Sequence, residues 1–120
     1  MKIAISAQGA GLDSPVDPRF GRARYFIVAD TETGGISAYD NTVNLNAAQG
    51  AGIQAAKNVA DLGVQAVITG NVGPKAYSTL SAAGIEIYTG ATGTVRYILD
   101  AFRAGKLSPT QRSNVEGHWL

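Results

Sequence analysis

Three arginines, Arg19, Arg22 and Arg24, fall within six residues around the pair Phe20-Gly21. A guanidinium offers a planar fork of donors and keeps its charge when partly desolvated, which suits a bulky polyanion. Phe20 would add an apolar wall. Asp13 and Asp17 lie just upstream, so a second reading stands beside the first: the carboxylates pair with the arginines and simply pin the loop. Farther along, the chain writes Thr69-Gly70-Asn71-Val72-Gly73 and Thr89-Gly90-Ala91-Thr92-Gly93, two copies of T-G-x-x-G. Each copy follows an apolar run and opens a helical pattern. A helix start offers free N–H groups and the positive end of the helix dipole, and glycine lets a ligand approach the backbone. Capped helix starts in α/β folds use the same residues with no ligand at all, and the turns alone leave both readings open.

Bringing these groups together takes a scaffold, and the hydrophobic pattern describes one. Ile3, Ile5 and Ala7 alternate as in a strand over residues 2–7, and a polar loop with glycine and proline runs from Gln8 to about Arg24. Tyr25 to Ala29 and Ile36 to Tyr39 read as a hairpin around Thr33-Gly34-Gly35. An irregular stretch is expected from Asp40 to about Gln49. The rhythm then becomes strand and helix in alternation. Ile53, Ala56, Val59 and Ala60 mark a first helix, and Ala76, Leu80 and Ala83 a second. Val95, Ile98, Leu99 and Phe102 mark a third. Gly63, Gly84 and Gly105 stop these helices at intervals of 21 residues. Ala66-Val67-Ile68 and Ile85 to Tyr88 are buried strands made parallel by right-handed crossovers. The expected fold is α/β: a mixed five-stranded sheet, antiparallel hairpin plus parallel strands, with three helices and strand 2–7 near its centre. In such a sheet the crevice lies at the carboxyl ends of the strands, where the arginine loop and both glycine turns would meet.

Composition removes whole classes of function. One domain is expected over residues 1–105, with residues 106–120 as a polar C-terminal tail. The chain has no cysteine and one histidine, His118, which excludes disulfides, Cys-ligated zinc and thiolate-held iron–sulfur clusters. His118 beside Trp119 reads as a terminal contact rather than a ligand, because it has no partner at metal spacing. Net charge is +1, against a dedicated nucleic-acid binder. No apolar run nears the roughly 20 residues of a membrane span, and no signal peptide is evident, so a cytoplasmic protein is expected. Gly50-Ala51-Gly52-Ile53-Gln54-Ala55 spells G-x-G-x-x-A, but neither a preceding strand nor a later acidic residue supports it, and it reads as a helix start. There is no G-x-x-x-x-G-K-[ST] run and no nominable set of base, nucleophile and metal ligands.

Several blocks together resemble a known family. They are Met1 to Ile5, Asp13-Ser14-Pro15-Val16, Arg19 to Ala23, Gly50 to Ala56, Val67 to Ala76 and Gly93-Thr94-Val95. The chain is similar over about residues 1–105 to the dinitrogenase iron–molybdenum cofactor biosynthesis family. The resemblance implies a ribonuclease H-like fold without the nuclease's carboxylates, and binding or carriage of metal–sulfur clusters during cofactor assembly. Many members have His in place of Arg19 or use Cys or His toward clusters, and this chain has no cysteine. A branch known as the orange proteins is similar in size and holds a mixed molybdenum–copper sulfide cluster without covalent ligation.

The combined expectation is a non-enzymatic protein with no catalytic residues and no direct metal ligands. It would hold an anionic molybdenum-containing cluster, Mo–Cu sulfide or FeMo-cofactor-like, without a bond from protein to metal. Arg19, Arg22 and Arg24 would supply counter-charge, Phe20 and Val72 would shield sulfides, and Gly21, Gly70, Asn71, Gly73, Gly90, Thr92 and Gly93 would shape the backbone cradle. The alternative is an interaction module that works with a MinD-type P-loop ATPase, a partner the family resemblance suggests, through the tail and Trp119. Neither reading involves nucleic acid or a membrane.

Overall fold

Alternation along the strands sorts the core into two layers. In the computed structural model, which describes residues 1–45, 50–111 and 113, strand β1 (Lys2–Ala7) is flanked on both sides and buried from Ile3 onward. It pairs antiparallel with β2 (Tyr25–Asp30), Ile5 opposite Ile27, and parallel with β4 (Ala66–Ile68). Strand β3 (Ile36–Asp40) pairs antiparallel with β2, and β5 (Glu86–Tyr88) parallel with β4, giving the order β3-β2-β1-β4-β5. Successive side chains point to opposite faces. Ala4, Phe26, Val28, Val67 and Ile87 therefore meet α2 (Ala51–Asp61) and α3 (Pro74–Ala82) on one face. Ile3, Ile5, Ile27, Ile68 and Tyr88 meet α4 (Val95–Arg103) on the other. Both faces are covered, which is why β4 reads as a continuous apolar run.

The sheet, its order and the three helix stops match the sequence expectation. Gly63, Gly84 and Gly105 all hold left-handed backbone just past their helices. Two details differ. The stretch after β3, expected to be irregular, begins with a helical turn, α1 (Thr42–Leu45), so the described residues hold four helices rather than three. Asp40 Oδ1 starts it by accepting from Thr42 N (2.8 Å) and Thr42 Oγ1 (2.6 Å). Four residues are too few to leave a periodic signal. The rest of that stretch, residues 46–49, lies outside the described residues. In α2 the buried face is Ala51, Ala55, Ala56 and Val59, while Ile53 is only half-buried.

The segment expected to be a tail is packed over its first residues. Leu107 lies against the α4-side core, and Thr110 donates its N–H to Ile87 O (2.7 Å) at the edge of β5. Residues 112 and 114–120, with His118 and Trp119, lie outside the described residues. Among the described residues no helix is long and apolar enough to cross a membrane.

Candidate functional site

The loop from Gln8 to Arg24 crosses the carboxyl end of the sheet and is fastened there by main chain. Asp17 N donates to Ser6 O (2.9 Å), and Ser6 Oγ donates to Asp17 O (2.8 Å) while lying 2.7 Å from Thr69 Oγ1. Arg19 sits beside Asn71 in a parallel bridge. Phe20 N donates to Asn71 O (3.2 Å), and Asn71 Nδ2 donates to Pro18 O (3.0 Å). The contact is close: a Cβ on Gly70 would lie 2.7 Å from Pro18 Cα, and one on Gly21 would lie 2.7 Å from both Gly52 Cα and Gly52 N. Gly21 thus seats the arginine loop on the first turn of α2, and the G-x-G there permits that approach.

One residue absent from the sequence-based site holds the loop from beneath. Asn41, 1% exposed, donates through Nδ2 to Ala23 O (2.8 Å) and Gly21 O (3.3 Å), and its N–H donates to Arg24 O (2.8 Å). Its Oδ1 accepts from Asn44 Nδ2 (2.9 Å). Three carbonyls of the arginine segment are thus satisfied by one asparagine, whose amide supplies both donors and an acceptor. An Asn in an irregular stretch gives no sequence signal for this.

The arginines differ in setting. Arg19 is 41% exposed by its side chain, with Nε 3.8 Å from Asp17 Oδ1, which also accepts from Arg19 N (3.0 Å). Arg22 is half-buried and Arg24 exposed. Asp13 does not join them. It pairs with Arg96 on α4 (Nε to Oδ1, 2.9 Å), and that hydrogen bond, then the charge of Arg96, holds the Asp13 carboxyl below its ordinary value. Asp40 is also held low, chiefly by its two hydrogen bonds from Thr42, with a smaller contribution from the charge of Arg24. The second reading of the loop is therefore half right: Asp17 pins Arg19, whereas Asp13 ties the loop to α4.

Two of the expected side chains cannot face a ligand. Phe20 and Val72 have no exposed surface and belong to the core layer under α2 and α3, where the Phe20 ring packs at 5.2 Å on that of Phe26. Burying such a ring contributes on the order of 2–3 kcal/mol, so they anchor the loops instead of lining a crevice. Gly21, Gly70, Asn71 and Gly73 do gather around Arg19 and the start of α3. Gly90, Thr92 and Gly93 adjoin them through Gly90 N, which donates to Gly70 O (2.8 Å).

The two helix starts are not alike. At α4 the N–H groups are used within the protein: Val95 N donates to Ser14 O (2.9 Å), Arg96 N to Leu12 O (2.8 Å) and Tyr97 N to Thr94 Oγ1 (3.1 Å). At α3 the N-cap is Gly73, with no side-chain cap, and Pro74 follows. No partner for the N–H of Lys75 or Ala76 is found among the described residues. Of these two helix starts, it is the α3 end at which donors, dipole and arginines combine among the described residues. This arrangement can hold an anion by charge-assisted hydrogen bonds. Among the described residues, no group of three or more His, Cys, Asp or Glu side chains could hold a metal ion.

Comparison with known proteins agrees with this architecture. A family model described as dinitrogenase iron-molybdenum cofactor matches residues 1–105. The apo form of the orange protein from Desulfovibrio gigas is 41% identical, with a TM-score of 0.92 over 95% of this chain and 96% of that one. A Thermotoga protein described as NifB is 39% identical, with a TM-score of 0.84 over 97% and 98% of the two chains. An uncharacterised protein of Methanocaldococcus jannaschii is 34% identical over 110 residues, 89% of each chain. With a full-length match in fold and a family match over all but the last fifteen residues, the chain belongs to the dinitrogenase iron–molybdenum cofactor family.

Proposed function

We propose that this protein is a non-enzymatic carrier for an anionic metal–sulfur cluster containing molybdenum, either a Mo–Cu sulfide or a FeMo-cofactor-like cluster, held without a protein–metal bond. The observation that carries the reading is the arginine loop fastened beside the uncapped start of α3 in a chain without cysteine. The donor set fits a thiometallate anion that brings its own sulfur. Arg19, Arg22 and Arg24 supply counter-charge, and the N–H groups at the start of α3 complete the cradle with Gly70, Asn71 and Gly73. The similarity to a protein whose solved form is called apo supports a cargo that comes and goes. The sheet order, an antiparallel hairpin followed by parallel strands, also supports counting the fold as ribonuclease H-like. No specific observation favours the alternative of a module serving a MinD-type ATPase.

The test is to mix purified apoprotein with tetrathiomolybdate and copper and pass the mixture through gel filtration. Charge-transfer absorption should elute with the protein, and Arg19→Ala combined with Arg22→Ala should abolish most of it. Colour that never co-elutes, or that the double variant retains in full, overturns the reading.

A further inference from the structure

The α4 face of the sheet carries a cavity of about 190 Å³, lined in part by Gly90, Ala91 and Thr92 of the second glycine turn and by no residue of the arginine segment among those described. Its floor is apolar and buried, formed by Ile68, Tyr88 and Ile98. Exposed residues Thr92, Tyr97 and Ser108 stand around it. Among the described residues no charged side chain lines it. Three of the N–H groups beside it are already engaged: Gly90 N with Gly70 O (2.8 Å), Ala91 N with Thr69 O (3.2 Å) and Thr89 N with Thr110 Oγ1 (3.0 Å). The Tyr88 hydroxyl lies 3.3 Å from Glu86 Oε1, and the Thr89 hydroxyl 2.8 Å from that of Thr110. An anion entering this space would lose hydration and gain no cation from the described lining residues. A neutral ring would lose little, and an apolar cavity of about 150 Å³ is enough to take up benzene.

We propose that this cavity is a second binding site, for a small uncharged molecule built on one ring with a hydroxyl-type group that meets Thr92, Tyr97 or Ser108 at the mouth. Residues 107–108 form its wall, and Thr110 clasps that wall to the body. Thr110 N donates to Ile87 O (2.7 Å), Thr110 O accepts from Tyr77 Oη (3.0 Å), and Thr110 Oγ1 accepts from Thr89 N (3.0 Å). The clasp spans the edge of β5 from α3 to the cavity, so one residue links the wall to both layers. The site does not depend on the cluster reading.

Phenol is a suitable probe, titrated into the ¹⁵N-labelled full chain and followed by amide shifts. Saturable shifts are expected at Thr89 to Thr92, Tyr97 and Ser108, with little change at Arg19 to Ala23. Ala91→Leu, which fills the cavity from a lining position, should weaken binding at least tenfold. Ser108→Phe at the exposed wall should do the same should the first variant fold poorly. Thr110→Val should weaken binding about threefold. Tetrathiomolybdate should leave bound phenol in place. Non-saturating shifts, shifts centred on the arginine loop, unchanged affinity in the filling variants, or displacement by tetrathiomolybdate would each overturn the proposal.

Discussion

Gly70 and Gly90 hold the same place in two turns of one sequence pattern, yet each is required for a different reason. Gly70 does not hold left-handed backbone, and it is glycine because Pro18 presses against it, a Cβ there meeting Pro18 Cα at 2.7 Å. Gly90 has open space around it and is glycine because its φ is +79°. The turns then end one residue out of step. Gly73 is itself the N-cap of α3, whereas Gly93 precedes the N-cap Thr94, whose hydroxyl closes α4. Repetition in sequence has thus yielded one helix start whose Lys75 and Ala76 N–H groups meet no partner among the described residues and one sealed by the loop that crosses it. The lesson is that a helix N-terminus is an anion site only when the chain around it leaves its donors unused.

The largest effect that would break this comparison is at the glycines. Gly70→Ala should cost about 3 kcal/mol, since the clash is with backbone, whereas Gly90→Ala should cost about 1 kcal/mol through φ strain alone. Urea unfolding of both variants checks it, and equal losses would mean that the turns are equivalent after all. Asn41→Ala should cost about 2 kcal/mol by leaving the carbonyls of Gly21 and Ala23 buried without a donor, and should lower cluster retention by freeing the arginine segment. Asn41→Ala with unchanged thermal stability would show that the segment holds itself. Thr94→Ala should cost about 1 kcal/mol, because it removes the cap from Tyr97 N; calorimetry would resolve it.

The smallest effect concerns pH. The Asp13 carboxyl is held below its ordinary 3.8 by Arg96, so the folded state binds its proton less readily than the unfolded chain. Its contribution is present above pH 3.8 and is lost as pH falls through the lower folded value. Asp13→Asn should therefore make acid unfolding, followed by circular dichroism, slightly less steep at its lowest-pH end. A variant as acid-sensitive as the parent there would show that the tie between loop and α4 contributes nothing in solution. Both groups are solvent-exposed, which keeps the effect small.

Much of the fold was legible because burial and periodicity are local properties of the chain. Ile3 and Ile5 alternate, Ala66 to Ile68 run together, and Val95, Ile98 and Leu99 fall at helical spacing, so strands, helices and their order follow from counting. The candidate site was legible in its parts: an arginine cluster, glycines and an absence of thiols are visible without coordinates. Its walls were not. Phe20 looks like an exposed aromatic in a polar loop, and only the approach of Gly21 to Gly52 shows that the loop dives far enough to bury it. Asn41 is one asparagine among several until the carbonyls of Gly21 and Ala23 come within reach.

The sequence by itself determined the α/β order, the helix stops, the lack of protein thiolate chemistry and the family. Those depend on residue type and spacing along one chain. Tertiary structure alone decided which helix start is crossed by the Leu12–Ser14 segment, that Asp13 serves Arg96 and not the arginine loop, and that Thr110 clasps a cavity wall. Each of these is a contact between segments far apart in the chain. Whether a donor is free is settled by what folds against it, and no local pattern records that.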